Sequence, residues 1–207
     1  MPQRETSLSI VTDFITKEHA EKMVDLMSAS QGNGKLGNIS WEEAPTRLRN
    51  GAPYYAAVSS DNPKPLESND GYTVNYPEDS ELWSLTNKSI ESIADRIKSF
   101  FHVEKLELMS ALLRWGGVGA SILPHQDGPM FHDGKWINID FSCFIILNDE
   151  FEGGFLRFEE LGLSWQPIAR SAVFLSNTST KTMVHEVEQV TSGKRYSLNT
   201  FFREIKD

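Results

Sequence analysis

One cysteine in 207 residues, Cys143, leaves no partner for an internal disulfide, so nothing in the chain points to an oxidising compartment. Basic residues form no run, and the formal net charge is −9. The stripe of positive charge that phosphate contacts demand is missing, which disfavours a nucleic-acid partner. No apolar run reaches the length needed to cross a bilayer, and residues 1–10 lack a charged-then-apolar leader pattern. These absences lead to the expectation of a soluble, cytoplasmic protein with no membrane partner. Internal repeats and low-complexity tracts are also absent. What is present, 39% apolar and 24% charged residues, supports a packed core rather than disorder. The length suits a single domain over residues 1–207.

The chain divides by texture. From Thr16 to about Ala29, the residues Ala20, Met23, Val24 and Met27 recur at helical spacing, with Thr16 as the N-cap. A second helix is expected from about Leu85 to Phe101, with Ile90, Ile93, Ala94 and Ile97 on one face. Residues 32–80 between them, rich in Gly, Pro, Asn and Ser, read as loops with short strands. From Leu106 onward, branched and aromatic runs separated by Gly, Asn, Asp or Pro predict strands at Leu106–Trp115, Ile137–Leu147, Phe155–Phe158, Ala172–Leu175, Met183–Val187 and Arg195–Phe202. Gly153 and Gly154 suit a tight reversal. The expected fold class is therefore α+β and mainly β: a helical, loop-rich layer over residues 1–105 packed on an antiparallel barrel or sandwich over residues 106–207.

The chemistry centres on Leu123-Pro124-His125-Gln126-Asp127-Gly128. In an extended segment, residues two apart share a face, so His125 and Asp127 can converge on one metal ion. A third ligand is needed, and His185 lies in a later strand-like segment, Val184-His185-Glu186-Val187. Two imidazoles and one carboxylate form the facial triad of non-haem iron sites, which leaves the opposite positions open. Taken singly, an H-x-D triplet or a strand histidine is more often structural than ligating. Ten residues after His185 comes Arg195, whose guanidinium can take a carboxylate through two parallel hydrogen bonds. Ser197, on the same strand face, can add a third. A dicarboxylate cosubstrate requires such an arrangement at its far end.

From Leu113 to Phe202 the sequence resembles the 2-oxoglutarate- and Fe(II)-dependent oxygenases of the prolyl-4-hydroxylase type. The resemblance is carried by His125-Gln126-Asp127, Leu147-Asn148, Phe151-Glu152-Gly153-Gly154, Leu156-Arg157-Phe158, Val173-Phe174-Leu175, His185-Glu186-Val187 and the run Val190 to Leu198 that contains Arg195. It implies a double-stranded β-helix (jelly-roll, cupin-like) core. It also implies His125, Asp127 and His185 as iron ligands, and Arg195 pairing with the 2-oxoglutarate C5 carboxylate with help from Ser197. Many members place tyrosines where this chain has Trp115 and Ile146, so the pocket is lined differently and Trp115 is expected as one of its walls.

The resemblance implies Fe(II), 2-oxoglutarate and O2 as cofactors, with stimulation by ascorbate. Retention of Asp127, rather than a small residue, implies hydroxylation of an unactivated C–H bond rather than halogenation, with 2-oxoglutarate converted to succinate and CO2. Desaturation, epoxidation and ring formation share that chemistry. The substrate expected first is a small molecule, such as an amino acid or a biosynthetic intermediate. The alternative is a prolyl or other side chain within a protein, and a non-catalytic metal-binding barrel or sensor ranks below both. Nucleic-acid demethylation is disfavoured because Ser197 and Phe201 stand where such enzymes carry Asn and Arg. Substrate contacts are expected from residues 46–76, with Arg47, Arg49, Tyr54, Tyr55 and Tyr72, and from Met130, Phe131, His132 and Trp136. Arg157 faces either the pocket or solvent, depending on register.

Overall fold

The computed structural model describes residues 8–31, 42–43, 54–59, 74–76, 80–132, 135–178 and 183–206. In chain order these form β1 (Leu8–Val11), α1 (Lys17–Ala29), β2 (Glu42–Glu43), β3 (Tyr54–Ser59), β4 (Val74–Tyr76), α2 (Glu81–Phe101) and β5 (Leu106–Gly116). Next come β6 (Ile122–His125), β7 (Met130–His132), β8 (Lys135–Ile137), β9 (Phe141–Ile146), β10 (Phe151–Gly153) and β11 (Leu156–Phe158). A 3-10 turn at Glu159–Leu161 leads to β12 (Leu163–Trp165), β13 (Ala172–Ser176), β14 (His185–Val187), β15 (Val190–Gly193) and β16 (Arg195–Glu204).

Both helices follow their sequence signals closely. Thr16 caps α1, its hydroxyl accepting the His19 N–H at 3.2 Å, and Ala20, Met23 and Met27 are buried. Helix α2 starts at Glu81, four residues before the expected Leu85, because Ser80 accepts the Trp83 N–H and satisfies the first turn. It ends where His102 adopts the left-handed conformation at φ 55°. The imidazole Nε2 of His19 lies 3.0 Å from both the Leu85 carbonyl and the Ser89 hydroxyl, which ties α1 to α2.

The fold is a double-stranded β-helix. Its larger sheet has the order β1-β13-β9-β16-β5-β3-β2, with β4 added on β3, and the smaller sheet has the order β12-β11-β14-β6. Strand alternation divides the core in two. Ala111, Leu113, Cys143, Ile145, Phe174, Tyr196 and Leu198 point from the larger sheet toward the helices. Leu112, Phe144, Ile146, Val173, Leu175 and Phe201 point the other way, to meet Leu156, Phe158 and Val187 of the smaller sheet. Central β9 is therefore buried along its whole length, which explains its near-continuous apolar sequence. The expected strand Ile137–Leu147 divides into β8 and β9 around the Asn138–Asp140 segment. Strand β1, not foreseen in the sequence, closes the larger sheet by pairing Leu8–Val11 with Leu175–Ala172.

Candidate functional site

The smaller sheet brings the triad together. Strands β6 and β14 are antiparallel neighbours with His125 directly opposite His185, and their rings lie 4.4 Å apart between centroids. Asp127 follows two residues after His125, beyond the end of β6. Its Oδ1 is 3.7 Å from His125 Nε2 and its Oδ2 is 3.9 Å from His185 Nε2. One ligand atom from each residue lies within 4.8 Å of the others. The ring of His185 packs on Phe144 and Phe158, at 5.2 and 5.7 Å, which fixes it on the inter-sheet side.

The donor set tests whether a cation suits this place. The Nδ1 of His125 lies 2.8 Å from the Leu123 carbonyl, and that of His185 lies 2.9 Å from the Met183 carbonyl. A carbonyl only accepts, so each Nδ1 carries the proton and each Nε2 presents a lone pair. Burial holds the His125 pKa below its usual value, and the neighbouring His185 and Arg114 push the same way against the opposing pull of Asp127. Neutral imidazole is thereby favoured. Asp127 Oδ2 is buried without a hydrogen-bond partner. Three acceptors facing one another are costly unless a cation joins them, and a divalent metal ion satisfies all three. The residues fit the group.

The larger sheet supplies the opposite wall in rows. One row runs Phe144–Asn199–Leu112 across β9, β16 and β5, and the next runs Ile146–Ser197–Arg114. In the row beyond, Arg195 opposes Gly116, which has no side chain to crowd it. Arg195 is 4% exposed, and its stem passes so close to Gly154 that a Cβ there would lie 3.2 Å from Arg195 Cδ. The hydroxyl of Ser197 donates to Asn199 Oδ1 at 2.9 Å, so a bond from Ser197 to a carboxylate competes with one already made.

Trp115 requires a correction. It lies opposite Tyr196, packs against the helical-side core and sits 5.2 Å beneath the Lys194 ammonium. Alternation therefore turns it away from the face that carries Arg195, and Arg114 occupies the pocket side at this level. Counting back from His125 picks out the tryptophan, whereas the strand pairing picks out its neighbour. Arg114 was legible only as a charged residue in an apolar strand. Asn148 is a second residue without an assigned role in the sequence. It bonds the backbone on both sides of Arg195.

Of the expected substrate contacts, Arg47, Arg49 and Tyr72 lie outside the described residues. Tyr54 and Tyr55 lie in β3, while Phe131 and His132 lie in β7. Trp136 is 55% exposed. Arg157 points outward, pairing with Glu186 at 3.7 Å and Glu188 at 3.2 Å on the solvent face of the smaller sheet. Among the described residues no helix is long and apolar enough to cross a membrane.

Comparison with known proteins agrees with this geometry. Residues 110–203 match the model of the 2OG-Fe(II) oxygenase superfamily. No curated protein matches the chain by sequence. Among solved structures, the Pseudomonas putida prolyl-4-hydroxylase is 17% identical with a TM-score of 0.66, covering 98% of this chain and 95% of its own. The 2-oxoglutarate complex of the viral collagen prolyl hydroxylase of Paramecium bursaria Chlorella virus-1 is 14% identical with a TM-score of 0.65, covering 97% and 98%. HygX from Streptomyces hygroscopicus, with nickel and 2-oxoglutarate bound, is 9% identical with a TM-score of 0.59, covering 96% and 83%. The prolyl-4-hydroxylase-like resemblance seen in the sequence thus extends to the fold.

Proposed function

We propose that this chain, a 2-oxoglutarate-dependent non-haem Fe(II) dioxygenase, hydroxylates an unactivated C–H bond of a small molecule such as an amino acid or biosynthetic intermediate. His125, Asp127 and His185 hold the metal in this reading, and Arg195 pairs with the C5 carboxylate of 2-oxoglutarate. Bound Fe(II) supplies dioxygen activation, coupled to conversion of 2-oxoglutarate to succinate and CO2. The chain's own part is geometric. The Nδ1 bonds to Leu123 and Met183 aim both imidazoles, and Asp127 supplies the negative charge between them. Arg195 fixes the far end of the cosubstrate so that its other end meets the metal.

The observation that carries this reading is the convergence of three acceptor atoms, one of them the partnerless Asp127 Oδ2, on the wall facing a buried arginine. The partial burial of the site supports a small substrate: the side chains of His185, Asp127 and His125 are 3%, 8% and 19% exposed, so the reacting group must enter between the sheets. A peptidyl side chain is the second reading, favoured by the likeness to proteins described as prolyl hydroxylases. The net charge of −9 would suit a basic peptide. Measuring succinate formation with free amino acids against basic and proline-rich peptides tests the two. Turnover with peptides alone would reject the small-molecule reading, and turnover with neither would reject the enzyme's proposed substrate range altogether.

A further inference from the structure

We propose that Arg114 anchors a carboxylate of the primary substrate, so that the enzyme selects an acid. This deepens the proposed function and rests on its dioxygenase reading.

The register puts Arg114 on the working face. It lies opposite Ser197, in the row next to Phe144–Asn199–Leu112, and Phe144 touches the His185 ring. Its neighbours in sequence, Leu113 and Trp115, pack toward the helices, while Leu112 packs between the sheets. Arg114 is therefore directed into the inter-sheet space with Arg195, its diagonal neighbour on β16.

A guanidinium in such a place ordinarily has a carboxylate beside it. Among the described residues Arg114 forms no ion pair, and its Nε is buried without a hydrogen-bond partner. The cosubstrate does not account for it. Charge in the loaded site is already matched: the two positive charges of the metal and that of Arg195 meet Asp127 and the two carboxylates of 2-oxoglutarate. Arg114 is then a surplus cation, planar and five-donor, on the inter-sheet face that also carries Arg195. An anionic group on the incoming substrate neutralises it, and a carboxylate matches its fork.

The test uses the full chain loaded anaerobically with Fe(II), following the visible charge-transfer band, with the free L-amino acids and their C-terminal amides as probes. The 2-oxoglutarate Kd is measured first, then the band's response to each probe, and finally aerobic succinate formation. In wild type, at least one acid perturbs the band and is turned over, and its amide binds about 30-fold more weakly. Arg114→Gln weakens the acid about 30-fold while the 2-oxoglutarate Kd moves less than about threefold, and Arg114→Lys recovers part of the loss. If Arg114→Gln weakens 2-oxoglutarate as much as Arg195→Ala does, Arg114 belongs to the cosubstrate and the inference is overturned. Equal binding of acids and amides, or of neither, overturns it as well. Turnover confined to peptides removes the small-molecule reading but leaves Arg114 its role only where the peptide carries an acidic group whose amidation mimics Arg114→Gln.

Discussion

Asn148 grips the backbone on both sides of Arg195: its side-chain N–H donates to the Lys194 carbonyl at 2.8 Å, and its Oδ1 accepts the Tyr196 N–H at 2.9 Å. Arg195 is thus held by a residue on the connection that follows β9, the strand beside β16 in the larger sheet. Asn148→Ala removes both bonds and leaves the buried Tyr196 N–H unsatisfied and the part-buried Lys194 carbonyl without its partner, costing about 1–3 kcal/mol of stability. Because the strand start also loosens, the 2-oxoglutarate Kd is expected to rise about tenfold while metal affinity, set on the smaller sheet, is kept. Anaerobic titrations of the variant with Fe(II) and then 2-oxoglutarate check this, and equal weakening of both would reject a positioning role.

The triad is a place where stability and function oppose each other. Without metal, Asp127 presents a buried acceptor with no partner. Asp127→Asn is therefore expected to raise the stability of the metal-free protein while abolishing its response to metal. Wild type at a Mn(II) concentration about 1,000 times the Kd gains about 4 kcal/mol. Thermal melts with and without Mn(II) read both effects. A metal-free Asp127→Asn protein clearly less stable than wild type would show that the carboxylate has a structural partner instead.

Trp115 and Arg195 lie on opposite faces of the larger sheet, so their substitutions separate. Trp115→Leu removes aromatic packing beneath Lys194 and against the helical-side core, lowering the melting temperature. Its 2-oxoglutarate Kd should stay within about twofold of wild type, since the lost contacts lie outside the pocket. Arg195→Ala should do the reverse, with a Kd raised about 100-fold or more through loss of a bidentate charge-assisted pair. A large Kd change in Trp115→Leu would return that residue to the pocket.

Three glycines rank by local geometry. Gly193 has φ 73°, and a Cβ there would lie 2.3 Å from the Glu150 carbonyl oxygen. Gly162 has φ 59° but open space around it, and Gly117 has open space and no positive φ. Alanine should then cost well over about 2 kcal/mol at Gly193, about 1 kcal/mol at Gly162 and about zero at Gly117. Urea midpoints give the order directly. An inverted order would mean that the β15–β16 connection next to Arg195 relaxes freely.

How far the sequence reached depends on the kind of signal. Helix α1 was legible to its cap because Thr16 and the buried Ala20, Met23 and Met27 are local, one-dimensional features. The triad was legible because H-x-D needs only the two-residue period of an extended chain, and His185 stood in a later strand-like segment as the third ligand that such a pair needs. Trp115 failed for a reason of the same period. A step of one residue along β5 reverses the face, and only the Tyr196 pairing fixes which residue faces inward. The role of Asn148 was hidden although Leu147-Asn148 carries part of the resemblance, since its partners are backbone groups 46 and 48 residues away. Strand β1 left no trace for a related cause: its partner β13 lies at the other end of the chain.

His19 gives the last expectation, about pH. Burial lowers its pKa, outweighing the bond to the Leu85 carbonyl, which acts in the opposite direction, while Lys88 adds to the lowering. The folded protein then takes up a proton at lower pH than the unfolded chain, so stability rises with pH through this group. Its contribution is complete above the unfolded value of about 6.5 and declines as pH falls below it toward the folded value. His125 acts with the same sign in metal-free protein, since its pKa is also lowered chiefly by burial. The comparison that isolates His19 is therefore His19→Gln against wild type with the metal site loaded. The wild type should lose more stability than His19→Gln between pH 7.5 and pH 5. Parallel loss in the two proteins would mean that the His19 bridge between α1 and α2 survives protonation, with the ring donating to Leu85 in both charge states.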